Sequence, residues 1–215
     1  MATKLKSPVS RNPEVVRARI LDAAQAEFMA EGFAAASTNR ILERFGGSKP
    51  TMFRHFPTKR ALFEAVVGRI AERWRDAVVM DDAHADDPQG WLERFAQRAL
   101  SWILTDESIF VGRMAIAEGH LFPEVGDTYR RLAVDPLNAL VAARLDAWTQ
   151  AGILSCMEPD RDALSFFDLT LAGMVSRRLY RVEAGFDEAA IAEHARRCAR
   201  LFLDGCRLRP LPTAP

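Results

Sequence analysis

The side chains best suited to meeting a polyanion crowd into one short stretch. It reads Ser48-Lys49-Pro50-Thr51-Met52-Phe53-Arg54-His55-Phe56, with Pro57 closing it and Lys59 following. On a helix, Met52 and Phe56 stand four apart and face inward, with Phe53 at the edge. Lys49, Thr51, Arg54 and His55 are then left on the free side. An Arg or Lys can bond guanine O6 and N7 in the major groove. Hydroxyls and free backbone N–H groups at a helix start suit phosphate. Ser48 can cap such a helix, and Pro50 sits in its first turn, where a missing N–H costs nothing. Thr38, Ser48 and Lys59 stand at helix starts and are assigned to phosphate. His55, at the end of the stretch, suits a phosphate or a base edge better than a metal.

These groups need a scaffold, and the preceding residues supply one. Ile20, Leu21, Ala24 and Phe28 follow the spacing of one buried helical stripe, and Gly32 ends that helix. Phe33 then packs back on the stripe. Ser37 and Thr38 are capping types before a short helix, Asn39 to Phe45, with Ile41, Leu42 and Phe45 inward. Gly46-Gly47 breaks it, and the third helix runs from Lys49 to about Phe56. A helix, a tight glycine turn and a second helix make the outline of a helix-turn-helix. Residues 1–12 read as a flexible basic arm. A fourth helix runs from Lys59 to about Met80.

An acidic, turn-rich break, DDAHADDPQG, separates this head from further helical stretches near 89–104, 107–120, 124–151, 160–182 and 187–206. Pro136 is expected to break or kink the long one. No alternating segment is long enough to argue for a sheet. The fold class is therefore all-α. A three-helix helix-turn-helix domain (13–60) is joined to a helical ligand-binding and dimerisation domain (61–210).

The formal net charge is zero, but residues 1–60 hold eleven Lys/Arg against five Asp/Glu, and all four lysines lie there. A basic head on an acidic body suits one end for a polyanion. No apolar run approaches the roughly 18–20 residues that span a bilayer. The first residues lack the apolar core of a secretory signal. A cytoplasmic protein without membrane contact is the expectation. Three cysteines, Cys156, Cys198 and Cys206, are no disulfide framework. Buried thiols are the plain reading, and a sensor pair of Cys198 and Cys206 is the sharper one. His84 and His194 read as solvated. No histidines show metal spacing with a third ligand near, so neither metal nor cofactor is expected. A glycine-rich phosphate loop, a nucleophile elbow and a carboxylate–histidine cluster are all lacking, which argues against an enzyme. An enzyme or a non-DNA small-molecule carrier with an incidental helix-turn-helix stays open as the second reading.

At RARILDAAQAEFMAEGFAAASTNRILERFGGSKPTMFRHFPTKRALFEAVV the sequence resembles the TetR family DNA-binding domain. The most telling parts are ILDAA, GF, the Ser37-Thr38 start and SKPTMFRHFPTKRALF. It departs from the common pattern at Phe53, where family members often carry a phosphate-bonding Tyr, and at Gly47, where a small aliphatic is usual. FVGRMAIAEGHLFPEVGDTYRR, AGIL and LFLDG resemble the AefR-like C-terminal domain of some TetR regulators. The resemblance implies a homodimeric repressor on double-stranded operator DNA, released by a small apolar or amphipathic effector. Its DNA contacts would be Thr38, Ser48, Lys49, Pro50, Thr51, Phe53, Arg54, His55 and Lys59.

Ligand pockets are apolar with a few polar groups. Phe95, Trp102, Met114, Trp148, Phe167 and Met174 are the candidate lining. Arg113, Glu118 and His120 are the polar candidates, with Arg113 and Glu118 preferred. Such large side chains at helical spacing also suit a plain core. Dimerisation is expected through the last two helices, using Leu164, Phe167, Leu171 and Val175 on one and Ile191, Ala195, Cys198 and Phe202 on the other.

Overall fold

The computed structural model describes residues 12–78, 86–181 and 184–206. Residues 1–11 of the expected arm, together with His84, lie outside them. The described helices are α1 (Pro13–Ala35), α2 (Thr38–Phe45), α3 (Lys49–His55), α4 (Lys59–Val78), α5 (Pro88–Ile103), α6 (Asp106–Glu118), α7 (Pro123–Tyr129), α8 (Asp135–Gln150), α9 (Pro159–Leu179) and α10 (Glu188–Cys206). No strand occurs among the described residues. The all-α expectation holds.

The chain packs as two compact units. The first joins the described residues up to Ala71 with Phe110–Leu132. The second joins the described residues of 72–109 with those from Ala133 onward. The unit that holds the helix-turn-helix thus reaches past residue 60 and takes in a distant segment.

Local chemistry explains the boundaries of the first unit. Asn12 caps α1 by accepting the Glu14 N–H at 2.9 Å. Gly32, at φ 77°, takes the chain off the helical path before Ala35. Glycine alone adopts this conformation without strain. Ser37 caps α2, and Gly46 ends it in the left-handed region at φ 73°. The core is made of Ile20, Leu21 and Phe28 from α1, Ile41 and Phe45 from α2, Met52 from α3 and Phe63 from α4, all buried. Phe28 and Phe33 each meet Phe63 edge-on, with ring centres 5.6 and 5.2 Å apart. Burying each such ring contributes about 1.5–3 kcal/mol.

The second unit is built on stacked aromatics. Trp91 stacks on Phe95 at 5.2 Å and meets Trp148 edge-on at 5.6 Å. Phe95 in turn meets Phe167, and Phe166 meets Phe202. The break expected at Pro136 is present as a π-helical turn over Arg130–Val134. Pro136 has no N–H for the Leu132 carbonyl, and its ring crowds that carbonyl, so the turn widens.

Three expectations need correction. Phe167, Ile191, Ala195 and Cys198 are buried inside their own chain, not on a face for a second copy. The large apolar residues exposed on α9 and α10 are Leu164, Leu169 and Leu201. Each helix carries apolar residues on more than one side, and periodicity does not say which side turns to its own core. His194 is not solvated: its Nε2 lies 2.8 Å from the Thr170 carbonyl and 3.5 Å from Cys198 Sγ. The thiol beside Cys206 is that of Cys156, not Cys198. The Cys156 and Cys206 side chains hydrogen-bond, and the Ser155 N–H donates to the Cys206 carbonyl at 2.9 Å.

Candidate nucleic-acid interface

The second helix of the motif is pinned by the first. Glu27 is buried on the inward side of α1, where sequence reading passed over it. Its Oε1 accepts the Ser37 N–H at 3.0 Å and the Arg40 Nε–H at 2.6 Å. Arg44 approaches its other oxygen at 3.6 Å. Burial alone would raise the pKa of this carboxyl. The Ser37 N–H, Arg40 and Arg44 outweigh burial and hold it below the ordinary glutamate value. At the far end of α2, Arg19 donates to the Phe45 carbonyl at 3.0 Å. Both ends of an eight-residue helix, too short to stand alone, are thereby tied to α1. The signal for Glu27 was present in the sequence: it falls on the stripe of Ile20, Ala24 and Phe28.

The turn that follows is tight. A Cβ on Gly47 would run into the ring of buried Phe45. The departure from a small aliphatic at this position therefore has a packing reason. Ser48 Oγ accepts the Thr51 N–H at 3.3 Å and lies 2.8 Å from Thr51 Oγ1. This cap opens α3 with Pro50 in its first turn.

On α3, Met52 is fully buried and Phe56 beyond its end is buried, as the spacing requires. Lys49, Pro50 and Arg54 are exposed, while Thr51, Phe53 and His55 are half-buried. Among the described residues Arg54 has no ion-pair partner, and Glu43, an acidic neighbour on α2, does not pair with it. Lys49 Nζ lies 5.9 Å from the Phe53 ring centre, within cation–π range. Thr38 is half-buried as the first residue of α2. Lys59 opens α4, and its Nζ donates to the Ala34 carbonyl at 2.9 Å, over the Phe33 ring at 5.0 Å. Burial holds this ammonium below the usual lysine range, while Glu118 and Glu27 pull the other way.

The candidate ligand residues fall into two groups. Phe95, Trp148, Phe167 and Met174 are buried in the second unit, and Trp102 is half-buried there with Arg73 6.0 Å from its ring. Arg113, Met114 and Glu118 belong to the first unit. Met114 is buried. The Glu118 carboxylate accepts the Phe33 N–H at 2.9 Å and the Ala34 N–H at 2.5 Å. Nothing in the local sequence links Glu118 to residues some 85 positions earlier. Among the described residues no three His, Cys, Asp or Glu side chains form a metal-holding group. No described helix is long and apolar enough to cross a membrane.

A capped helix, a glycine turn and a second helix with one buried and one cationic side define a helix-turn-helix DNA-binding protein. Residues 20–66 match the family model described as bacterial regulatory proteins, tetR family, and residues 90–205 match that of the AefR-like transcriptional repressor, C-terminal domain. The chain belongs to the TetR family of transcriptional regulators. An HTH-type transcriptional repressor of Streptomyces coelicolor is 32% identical over 85 residues, 40% of this chain and 43% of that protein. The chain thus spans under half the length of this relative.

The fold is shared with solved structures. A TetR-family regulator from Mesorhizobium loti superposes with a TM-score of 0.77 at 22% identity, over 93% of this chain and all of that one. A protein named Flavonoid-responsive Regulator FrrA gives 0.80 at 22% identity, over 91% of this chain and 98% of its own.

Proposed function

We propose that the chain is a repressor that binds a near-palindromic operator as a homodimer and is released by a small apolar or amphipathic molecule. The observation that carries this reading is α3. Its buried Met52 fixes the helix, while Lys49 at its start and the unpaired Arg54 on the side away from Met52 stand exposed. Lys49, Arg54, Thr51 and His55 are the base-reading candidates. Thr38, Ser48 and the remaining Lys59 donors are the phosphate candidates, with Pro50 and Phe53 against the backbone. Two copies would set their third helices about 34–36 Å apart, in successive major grooves. The exposed Leu164, Leu169 and Leu201 of α9 and α10 are the apolar groups available to a second copy.

The effector reading rests on family membership and on the aromatic second unit, where Phe95, Trp102, Trp148, Phe167 and Met174 lie. A structural relative bears the name of a flavonoid-responsive regulator, and a planar aromatic molecule is one class to try first. A ligand acts only through different affinities for the DNA-bound and free conformations. The test is selection of duplexes from fragmented genomic DNA, then titration of the selected duplex against a panel of planar aromatic compounds. A palindromic sequence released by one compound supports the reading. Failure to select any duplex defeats it.

A further inference from the structure

We propose that Glu118 is a positioning residue for DNA recognition, clamping the joint between α1 and α2 and so setting the entry of the helix-turn-helix. Gly32 turns the chain off the helical path at φ 77°, which leaves the next N–H groups to find partners elsewhere. Both go to one carboxylate: Phe33 at 2.9 Å to Oε1 and Ala34 at 2.5 Å to Oε2. Hydrogen bonds to an ionised acceptor are roughly twice as strong as neutral ones. Ala34 is gripped at its other end too, because its carbonyl accepts Lys59 Nζ at 2.9 Å. The end of α6 and the start of α4 therefore hold one peptide segment between them.

That segment stands three residues before Ser37, the cap of α2. The fit is close, since a Cβ on Gly32 would run into Glu118 Oε1. Phe122, four residues beyond Glu118, adds an edge-on contact to the Phe33 ring at 5.3 Å. Glu118 lies in the stretch matched by the AefR-like model, whereas Phe33, Ala34 and Lys59 lie in the stretch matched by the tetR model. The clamp joins two sequence modules inside one compact unit. With both oxygens committed, Glu118 acts on the DNA-reading helices through the joint.

The test compares the wild type with Glu118→Gln and Glu118→Ala, with far-UV circular dichroism confirming that each is folded. The isosteric Gln variant carries the test if the Ala variant does not fold. Amide hydrogen exchange on the DNA-free protein should quicken at least tenfold at one of Phe33 and Ala34 in the Gln variant, whose amide keeps a single acceptor oxygen, and at both in a folded Ala variant. This readout does not depend on the operator reading. Where the wild type selects a duplex, the Gln variant should bind it about tenfold more weakly while binding random-sequence duplex as the wild type does, since Lys49 and Arg54 keep their charges. Unchanged exchange at both amides overturns the clamp. An equal loss on selected and random duplexes overturns the positioning role.

Discussion

Glu27→Gln should lower stability at neutral pH, and the loss should vanish in acid. The side chain keeps its size, so no cavity opens. The amide oxygen can still accept the Ser37 N–H. What goes is the charge that meets Arg40 at 2.6 Å and Arg44 at 3.6 Å. Hydrogen bonds to charged groups contribute about 1.5–3 kcal/mol. Arg40 and Arg44 are about half exposed and regain water, so that range is discounted to about 1–2 kcal/mol. For a chain of this size each kcal/mol moves the thermal midpoint by about 2–4 °C, which gives a drop of about 2–8 °C.

The pH dependence follows from the lowered pKa of Glu27. A carboxyl whose folded value is depressed stabilises fully above its unfolded value and ceases to do so as pH falls through the folded value. The gap between wild type and Glu27→Gln should therefore be full above roughly pH 5, given an unfolded glutamate near 4.3. It should narrow below that. Differential scanning calorimetry of both proteins from pH 8 down to about pH 2, through the window below the unfolded glutamate value, measures it. Equal midpoints at pH 7, or a gap that does not narrow in acid, would refute the argument that Glu27 is held ionised between α1 and α2.

Three further outcomes are expected. Arg54→Ala should relax preference at one base position of each half-site, at about 1–3 kcal/mol of discrimination, read from binding to a randomised operator library; an unchanged preference would mean that other α3 residues read the bases. Gly47→Ala should destabilise by about 1–3 kcal/mol, because buried Phe45 must yield to the new Cβ; urea unfolding with an unchanged midpoint would contradict this. Leu164→Asp with Leu201→Asp should give a folded monomer by light scattering, whereas Phe202→Asp, set against the Phe166 ring, should lower the thermal midpoint first. A Leu164/Leu201 variant that stays dimeric would move the interface elsewhere.

The helix-turn-helix was readable because its determinants are local. Ser37, Gly46 and Ser48 act on neighbours within three or four residues, so their types announce the caps and the turn. Met52 and Phe56 follow from spacing alone, and Pro136 announces the widened turn before it. The contacts that hold the motif in place were not readable. Glu118 meets Phe33 and Ala34 across more than eighty residues, and Lys59 meets Ala34 across twenty-five. No local pattern marks such pairs. From its own surroundings Glu118 reads as a pocket candidate, because an apolar lining needs a few polar groups. The stripes of α9 and α10 failed for a different reason. An apolar face has the same periodicity whether its own chain or a second copy covers it, and Ile191, Ala195 and Cys198 turned inward.

The central claim is that this chain reads double-stranded DNA through α3. Its most direct test is fluorescence anisotropy of the selected duplex titrated with protein across a range of salt concentrations. The affinity should fall linearly on a double-logarithmic plot, by nearly one order per decade of salt for each phosphate neutralised. It should exceed that for random duplex by about a thousandfold or more. Substituting Lys49 and Arg54 together by alanine should remove that preference. Binding that is insensitive to salt, or that is equal for selected and random duplexes, would contradict the account.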